Sequence, residues 1–392
     1  MKIKLYVLLL FFVLISCIRL KENPIDPFTP TGFVLNYLSR NPYIEPIGIL
    51  DNSFGNNGKF TFNFNSINSY GSSFAIDNFG KIIMGGSCGN IPDVDFCMIR
   101  INSNGTLDTS FGSGNGYVIK SISSNNNDTA ASITIDSNGN ILLGGYCANN
   151  CGNFVFCIAR FLPNGLIDTS FGFGYGYVLL NISSIEDRGQ SIKIQPDGKI
   201  LLGGYCGSST NYDFCIARFN PDGTLDNTFG SGGYILKDFF NINNYGFSLS
   251  IDSNGKILLG GYCGSSPNYD FCIVRFNPDG TTDHTFNGNG IVIKQITSYD
   301  DYGDTMTIQS DGKILLGGHC YNGTNDDFCI ARFLPNGLID TSFGFGNGYI
   351  LQDISNNNDY AYFLLLQPGG KILLGGYCNN GSLNFFCIAR FK

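Results

Sequence analysis

The stretch Gln195-Pro-Asp-Gly-Lys-Ile-Leu-Leu-Gly-Gly-Tyr-Cys206 decides the fold, because variants of it occur six times. The cysteine that ends each copy lies at position 88, 147, 206, 263, 320 or 378. A second motif, Leu/Ile-Asp-x-Ser/Thr-Phe-Gly, also occurs six times, with its aspartate at 51, 108, 168, 226, 283 and 340. In one copy Thr282 replaces the leucine or isoleucine before the aspartate. A unit of about 57 residues therefore fills the chain from Asp51 to Lys392, and a repeat of this length is typical of propellers and solenoids.

Within one unit, polar and apolar residues alternate with the period of two that indicates short β-strands. In the third unit these strands, called A, B, C and D, cover residues 191–194, 199–205, 214–219 and 233–237. The turn residues Pro196-Asp197-Gly198 join A to B as a tight hairpin. Four antiparallel strands, repeated six times without a helical pattern, predict an all-β, six-bladed β-propeller.

The two ends of the chain predict how the ring closes. Lys392 ends the sixth unit just after its strand C, whereas residues 46–64 match a C–D connection and a strand D that have no A, B or C before them. We expect this N-terminal strand to complete the last blade, which would cover both open sheet edges.

The repeated residues resemble the delta-60 repeats of bacterial surface proteins. The resemblance is carried by Gln195 to Gly204 and by Ile216-Ala-Arg-Phe-Asn-Pro-Asp-Gly-Thr-Leu-Asp226, and it covers all six units. It implies a β-propeller but no particular activity, so no functional residue is transferred. The paired cysteines of this chain depart from the usual pattern of the family.

The N-terminus has the features of an export signal. Lys2 and Lys4 precede an apolar run from Leu5 to Ile15, which is too short to span a bilayer as a helix. The run ends in Leu14-Ile15-Ser16-Cys17, which resembles the lipobox of bacterial lipoproteins. We therefore predict a signal peptide at 1–16, a lipidated Cys17 followed by a tether up to residue 45, and the propeller at 46–392; an ordinary cleaved signal that discards Cys17 is the alternative.

These features predict a protein of the cell envelope that is anchored by lipid to the bacterial membrane, at the outer membrane or the cell surface. The net charge is −8, and removing residues 1–17 takes away two lysines and no acid, which leaves −10. Nucleic acid is therefore not expected as a partner, since its binding depends on a basic surface. We expect a monomer whose partners are the membrane and a protein or glycan ligand.

Fourteen cysteines also need an explanation. Each unit has one at the end of B and one at the start of C, and an exported chain favours six disulfides: Cys88–Cys97, Cys147–Cys157, Cys206–Cys215, Cys263–Cys272, Cys320–Cys329 and Cys378–Cys387. We expect Cys206 to face Cys215 directly, with Gly204 opposite Ala217 and Leu202 opposite Phe219. Buried free thiols are the alternative, zinc is disfavoured by the spacing, and Cys151 is either free or a competitor of Cys147 for Cys157.

An arginine recurs in strand C, and in five units an aspartate follows it eight residues later. These pairs, Arg100–Asp108, Arg160–Asp168, Arg218–Asp226, Arg275–Asp283 and Arg332–Asp340, are predicted to be structural, because six equal copies suit architecture better than catalysis. For Arg390, which has no aspartate downstream, Asp51 is the predicted partner.

Strand direction places the A–B and C–D turns on one side of the disc, which we call the turn face. The B–C loops and D–A connections lie on the other side, called the variable face because the units diverge there, and function on a repeat scaffold usually lies where the units diverge. One equivalent position of the D–A connections holds Tyr70, Thr129, Arg188, Tyr245, Tyr302 and Tyr360. The candidate binding residues are Tyr70, Arg188, Tyr245, Tyr302 and Tyr360 together with Asp187 and Asp301.

These residues predict a binding module for a protein or glycan, since tyrosine rings and carboxylates suit such ligands. The alternatives are an enzyme that acts on polysaccharide with Glu186 or Asp301, and a purely structural surface protein in which the tyrosines pack the blades. The sequence has no catalytic motif, His284 and His319 are its only histidines, and His319 replaces a packing tyrosine. We expect no cofactor and no metal, since the acidic residues lack a known calcium-loop spacing.

Overall fold

A computed structural model describes residues 51–64, 67–90, 93–123, 126–149, 151–207, 211–367 and 369–392. The predicted signal peptide, Cys17, the tether and residues 46–50 lie outside the described residues. Residues from Ser53 to Lys392 form one compact unit. Within the described ranges, no helix has the length and apolar character needed to cross a membrane.

The described chain forms twenty-three β-strands in six consecutive antiparallel sheets, the blades. Blade 1 contains β1 (Ser69–Ile76), β2 (Ile82–Asn90), β3 (Asp93–Ile101) and β4 (Tyr117–Lys120). Blade 2 contains β5 (Asp128–Ile135), β6 (Ile141–Ala148), β7 (Phe154–Phe161) and β8 (Tyr177–Leu180). Blade 3 contains β9 (Glu186–Ile194), β10 (Ile200–Gly207), β11 (Tyr212–Phe219) and β12 (Tyr234–Lys237).

Blade 4 contains β13 (Asn243–Ile251), β14 (Ile257–Ser265), β15 (Asn268–Phe276) and β16 (Ile291–Lys294). Blade 5 contains β17 (Asp301–Ile308), β18 (Ile314–Tyr321), β19 (Asp326–Phe333) and β20 (Tyr349–Gln352). Blade 6 contains β21 (Asp359–Leu366), β22 (Ile372–Asn379) and β23 (Asn384–Phe391). The predicted all-β, six-bladed β-propeller is confirmed, with strands in the order A-B-C-D and the A strands of successive blades in contact.

The hydrophobic core lies between neighbouring blades rather than inside one sheet. Phe214 and Ile216 of blade 3, for example, pack with Leu249 and Leu259 of blade 4. Burying each such side chain contributes about 1.5–3 kcal/mol. The Gly203-Gly204 pair makes this approach feasible, because a Cβ on Gly203 would lie 2.7 Å from Leu249 and one on Gly204 would lie 1.9 Å from the Arg188 carbonyl oxygen.

The register of the B–C hairpin differs from the predicted one by two residues. Gly204 pairs with Cys215, Leu202 with Ala217, and Cys206 with Asp213. The predicted direct pairing of Cys206 with Cys215 is therefore wrong, although the residues still share one face of the sheet. The two cysteines are diagonal neighbours, and their Cα atoms lie 5.8 Å apart because Gly204 has no side chain between them.

Five of the six predicted disulfides are present: Cys147–Cys157, Cys206–Cys215, Cys263–Cys272, Cys320–Cys329 and Cys378–Cys387. The prediction is wrong for the first blade, where Cys88 and Cys97 are buried free thiols in the same diagonal register. A hydrogen bond between the two thiols, together with burial, raises the pKa of Cys97, so the reactive thiolate is disfavoured. Cys151 is an exposed free thiol, and it does not displace Cys147 from Cys157.

The five arginine–aspartate pairs form as predicted, with Nε–Oδ2 distances of 2.7–2.9 Å. In blade 3, Arg218 also stacks on Phe229 and donates to the carbonyl oxygen of Pro278 in blade 4. Each arginine of blades 1 to 4 bonds the next blade in this way. The lysine that begins strand B, such as Lys199, joins the same aspartate, a contact that the sequence analysis missed. The partner proposed for Arg390 stays a prediction.

The predicted closure of the last blade by the N-terminal strand stays a prediction. Among the described residues, blade 6 has three strands, and no ladder joins β23 to residues 51–64. That segment instead lies against blade 1, where the Gly55 amide donates to the Asn104 carbonyl oxygen at 2.8 Å. The equivalent bond between blades 1 and 2 runs from the Gly112 amide to the Asn164 carbonyl oxygen. Phe386 and Ile388 of β23 are consequently 93% and 66% exposed, whereas their equivalents Phe328 and Ile330 are fully buried by blade 6.

Candidate functional site

The six predicted rim residues occupy one structural position. Arg188 pairs with Tyr205, Tyr245 with Tyr262, and Tyr302 with His319. Tyr70, Thr129 and Tyr360 pair in the same way with the residue that precedes the last cysteine of strand B. These residues lie inside strand A rather than before it, because strand A begins several residues earlier than the alternation indicated.

The rings from four consecutive blades form a continuous aromatic belt on the variable face. The belt consists of Tyr205, Tyr245, Tyr262, Tyr302, His319, Tyr360 and Tyr377, and successive ring centroids lie 4.7–5.1 Å apart. The sequence identified only its strand A members, Tyr245, Tyr302 and Tyr360. The strand B members belong to the repeated Gly-Gly-Tyr-Cys motif, and an earlier start of strand A would have placed them beside the rim residues.

Two tyrosines from the start of strand C widen the belt. Tyr212 lies 5.2 Å from Tyr245 between ring centroids, and Tyr269 lies 5.1 Å from Tyr262. Neither tyrosine was predicted from the sequence, although an Asn-Tyr-Asp triplet precedes Phe-Cys in these two units. Most belt rings are half-buried, so each offers part of a face or edge to a ligand.

Five of the belt tyrosines keep their protons across the physiological range. Burial, reinforced by neighbouring tyrosines and carboxylates, raises the pKa of Tyr205 and of Tyr360 to about 12. Burial likewise raises the pKa of Tyr245, Tyr262 and Tyr302 above the usual value. Their hydroxyl groups are therefore neutral and both donate and accept hydrogen bonds.

At the end of the belt, the charge of Arg188 is balanced within the protein. Its Nε lies 2.5 Å from Glu186 Oε1, and the Tyr212 hydroxyl donates to the other carboxylate oxygen at 2.9 Å. The guanidinium lies over the rings of Tyr146 and Phe154, 5.1 Å from each centroid. Arg188 is thus a planar group that stacks on aromatic rings, and Glu186 neutralises most of its charge.

Beyond Arg188, a cleft of about 370 Å³ continues across blades 1 and 2. Tyr70, Thr129, Tyr146 and Arg188 line it together with Asn68 and Asn127. Tyr70 is not part of the belt, because the residue opposite it on strand B is Ser87 rather than an aromatic residue. The predicted rim residues are therefore divided between the belt and this adjoining cleft.

Asp187 and Asp301, which were predicted to bind a ligand, are fully buried. Asp187 accepts hydrogen bonds from the backbone amides of Ile182 and Ser183, and Asp301 accepts equivalent bonds from Ile296 and Thr297. The two aspartates stabilise the turn of the D–A connection, because a short polar side chain accepts hydrogen bonds from the backbone amides there. We therefore exclude both from the candidate site.

One further departure from the repeat lies beside the belt. His319 Nδ1 is 2.9 Å from Asp304 Oδ2, and the His319 ring stacks on Tyr302. Asp304 occupies the bulged position of strand A, where the ladder shifts between Gly303 and Thr305. Burial raises the pKa of the Asp304 carboxyl, against the lowering effect of His319. From the sequence, His319 was expected to be a packing residue, and its contact with Asp304 was not predicted.

Within the described residues, Asp327, Asp353 and Asp359 form one carboxylate group compact enough for a metal ion, with ligand atoms within 4.8 Å of one another. Oxygen ligands of this kind suit calcium or magnesium. However, Asp327 accepts a hydrogen bond from Asn322, and Asp359 accepts one from the amide of Ile354. The cluster is thus a structural polar group of the junction between blades 5 and 6, and no metal enters the proposals below.

Comparisons with known proteins support the fold alone. Residues 80–111, 137–171, 195–229, 253–286 and 309–343 match the family described as a domain of unknown function (DUF5122) beta-propeller. No curated protein matches the sequence. A protein of unknown function from Dyadobacter fermentans DSM 18053 has a similar structure, with 11% identity, a TM-score of 0.51, and coverage of 84% of this chain and 96% of the other.

Two enzymes give lower scores. One is an ulvan lyase of polysaccharide lyase family PL25, with 11% identity, a TM-score of 0.47, and coverage of 80% of this chain and 78% of the other. The other is the GH93 α-L-arabinofuranosidase of Fusarium graminearum, with 10% identity, a TM-score of 0.46, and coverage of 83% and 93%. At these values neither enzyme indicates what this chain does.

Proposed function

We propose that this protein is a lipid-anchored β-propeller of the cell envelope that binds a neutral glycan on its variable face. The observation that carries the proposal is the continuous aromatic belt from Tyr205 to Tyr377. A structural role requires rings that pack inside a blade junction. Here the rings run from one junction to the next on the face where the units diverge, and five of the seven are half-buried, while Tyr205 and His319 are buried.

The chemistry of the belt suits sugar rings. Tyrosine faces stack against the apolar side of a sugar, and neutral hydroxyl groups bond its hydroxyls. Carboxylates beside the belt add acceptors: Asp300 accepts from Ser266 and from the Tyr302 hydroxyl, at 3.0 and 3.3 Å, and it is only half-buried.

The charge of the site favours a neutral ligand over an anionic one. Arg188, the cation at the end of the belt, is already bonded to Glu186, and Asp300 and Asp326 add negative charge beside the tyrosines. The whole chain is acidic as well, with a net charge of −8. A phosphorylated or strongly sulfated ligand would meet unfavourable electrostatics here.

Binding of neutral oligosaccharides by the full-length protein tests the proposal, first on a glycan array and then by calorimetry. Tyr245→Ala and Tyr302→Ala should each weaken binding by about tenfold or more, as expected for central aromatic contacts. Tyr175→Ala is the matched control, because Tyr175 is 67% exposed on the turn face and should leave affinity unchanged. Equal affinities in all four proteins would refute the site.

A second candidate function, an enzyme acting on a polysaccharide, is favoured by the Asp304–His319 pair. The two side chains lie within ion-pair distance, as in sites where a carboxylate lies beside a histidine that accepts a proton. The earlier candidate Asp301 is not suitable, since it is buried and bonded to the backbone. Steady release of reducing ends from a bound glycan, lost in His319→Tyr, would favour the enzyme; binding without turnover favours the module.

A further inference from the structure

Blades 2 and 5 share a C–D connection that the other blades lack. Residues 161–174 and 333–346 have the same sequence, Phe-Leu-Pro-Asn-Gly-Leu-Ile-Asp-Thr-Ser-Phe-Gly-Phe-Gly. Where these connections carry Leu166 and Leu338, blades 1, 3 and 4 carry threonine, at 106, 224 and 281. Where they carry Phe173 and Phe345, blades 1 and 3 carry Ser113 and Ser231. The fold therefore does not require these apolar residues, because the same turn forms with polar ones.

The substituted side chains point into solvent. Phe173 is 80% exposed and Phe345 is fully exposed, while Leu166 and Leu338 are 46% and 51% exposed. Both phenylalanines have left-handed backbone conformations, with φ of 58° and 56°, which strain a bulky residue. The chain thus retains two aromatic residues at positions where the side chain is exposed to solvent and the backbone conformation is unfavourable for a bulky residue. We call residues 162–173 and 334–345 the apolar tips.

Both apolar tips lie on the turn face, and Ser53 to Gly55, the first residues of the propeller unit, lie on that same face. The connections follow strand C, whose last residue is Phe161 or Phe333, and precede strand D. The Gly55 amide bonds Asn104 in the C–D turn of blade 1 at 2.8 Å, and the Gly172 amide bonds Asp222 in the C–D turn of blade 3 at 2.9 Å. Ser53 to Gly55 therefore reach the propeller at the level of the C–D turns.

We propose that the apolar tips insert into a phospholipid bilayer, so that the turn face rests on the membrane and the variable face points away from it. Single aromatic and leucine side chains on protruding turns suit the interfacial region of a bilayer. A protein partner would need a contiguous surface of roughly 800 Å². The two tips do not form such a surface, because blades 3 and 4 lie between them in the chain and carry polar turns. The proposal is independent of the glycan ligand, but it agrees with a lipid on Cys17.

The chain contains no tryptophan, so a single introduced one reports on its own surroundings. Full-length Phe173→Trp and Phe345→Trp would be reconstituted on phosphatidylcholine vesicles, with and without bromine on the acyl chains. Insertion predicts an emission shift to shorter wavelength and a loss of intensity with the brominated lipid. Tyr299→Trp is the matched control, since Tyr299 is an exposed aromatic residue on the variable face and should show neither change.

Hydrogen exchange of the unmutated protein gives a second measurement that needs no substitution. Vesicles should slow amide exchange in residues 161–176 and 333–348, and leave residues 220–233 of the polar blade 3 connection unchanged. Tryptophan emission at both tips equal to that of Tyr299→Trp would overturn the proposal. It would also be overturned by a shift that appears only after membrane proteins are added to the vesicles, because the tips would then bind a protein.

Discussion

Two sets of buried aspartates respond to pH in opposite directions. In the aspartates paired with arginine, such as Asp283, burial raises the carboxyl pKa, but bonds from Thr285 and Lys256 outweigh it and lower the pKa to about 2. In Asp301, burial outweighs the backbone bonds from Ile296 and Thr297 and raises the pKa to about 6. The first set stabilises the fold above about pH 4, whereas the second set begins to oppose folding above about pH 4 and does so fully above about pH 6.

These directions predict a maximum of stability on the acidic side of neutrality. An unfolded aspartate titrates near 3.9, so lowering the pH from 7 through 6 protonates Asp301 in the folded state first and stabilises it. Below about pH 4 the stabilising contribution of Asp283 is lost as the pH falls toward 2. Urea unfolding between pH 7 and pH 3 should therefore show stability rising to about pH 4–5 and then falling.

Asp301→Asn should reduce the rise in stability between pH 7 and pH 4, by an amount on the order of 2 kcal/mol. The substitution is conservative here, because Asn244 occupies the equivalent fully buried position in blade 4. The fall below pH 4 should persist, since Asp283 is untouched. An unchanged rise in Asp301→Asn would show that Asp301 does not titrate as described.

At the scale of the element, the B–C hairpin carries the same pair of cysteines in every blade, but the pair is a disulfide in blades 2 to 6 and two free thiols in blade 1. The diagonal register places the two cysteines of blade 1 as it places those of blades 2 to 6, with Gly86 opposite Cys97 and Cys88 opposite Asp95. Blade 1 differs in its surroundings, since Phe60, Phe62 and Phe64 cover its thiols in place of a preceding blade. The two thiols are adjacent and buried, and in the structure they are free.

Oxidation of the full-length protein with a disulfide exchange reagent should form a sixth disulfide between Cys88 and Cys97, detected by intact mass as the loss of two hydrogens. Because the pair closes a short loop, the bond should stabilise the fold by about 2–3 kcal/mol. Cys88→Ser, with the same treatment, should show neither change. A mixed disulfide with Cys151 instead of an internal bond would contradict the prediction.

At the scale of the whole molecule, residues 56–62 have the form of a strand D without a partner strand. The Asn56 amide bonds Lys59 at 2.7 Å, as the Ser231 amide bonds Tyr234 in blade 3 at 2.9 Å. In blade 3, Tyr234 then pairs with Ala217 of strand C. By this equivalence Lys59 would pair with Ala389 of β23, and the pairing would cover the exposed Phe386 and Ile388.

Ring closure therefore predicts that Lys59→Cys and Ala389→Cys form a disulfide within one chain, tested in a Cys151→Ser background. The bond should raise the free energy of unfolding by about 3–5 kcal/mol, since it closes a very long loop. Lys59→Cys with Ala331→Cys is the control, because Ala331 holds the same position in blade 5 but is already paired with Tyr349. A cross-link between two chains, or none, would contradict intramolecular closure.

The candidate site was only partly predictable from the sequence. Tyr245, Tyr302 and Tyr360 were identified because equivalent positions in a repeat occupy equivalent places. Tyr205, Tyr262 and His319 were not, because strand A was expected to begin several residues later, so the sequence did not show which strand B residue faces each rim residue. Asp187 and Asp301 were misassigned, since a carboxylate in a connection looks the same in sequence whether it faces solvent or the backbone inside the turn.

The sequence by itself determined the number of blades, the strands and the arginine–aspartate pairs, because these depend on local alternation, turn residues and an eight-residue spacing. The tertiary structure decided the hairpin register, the reduced state of Cys88 and Cys97, the burial of Asp301 and the course of the aromatic belt. Each of these depends on which atoms of a neighbouring strand or blade come within a few ångströms. One unit read along the chain does not contain that information, because the core of this fold lies between its units.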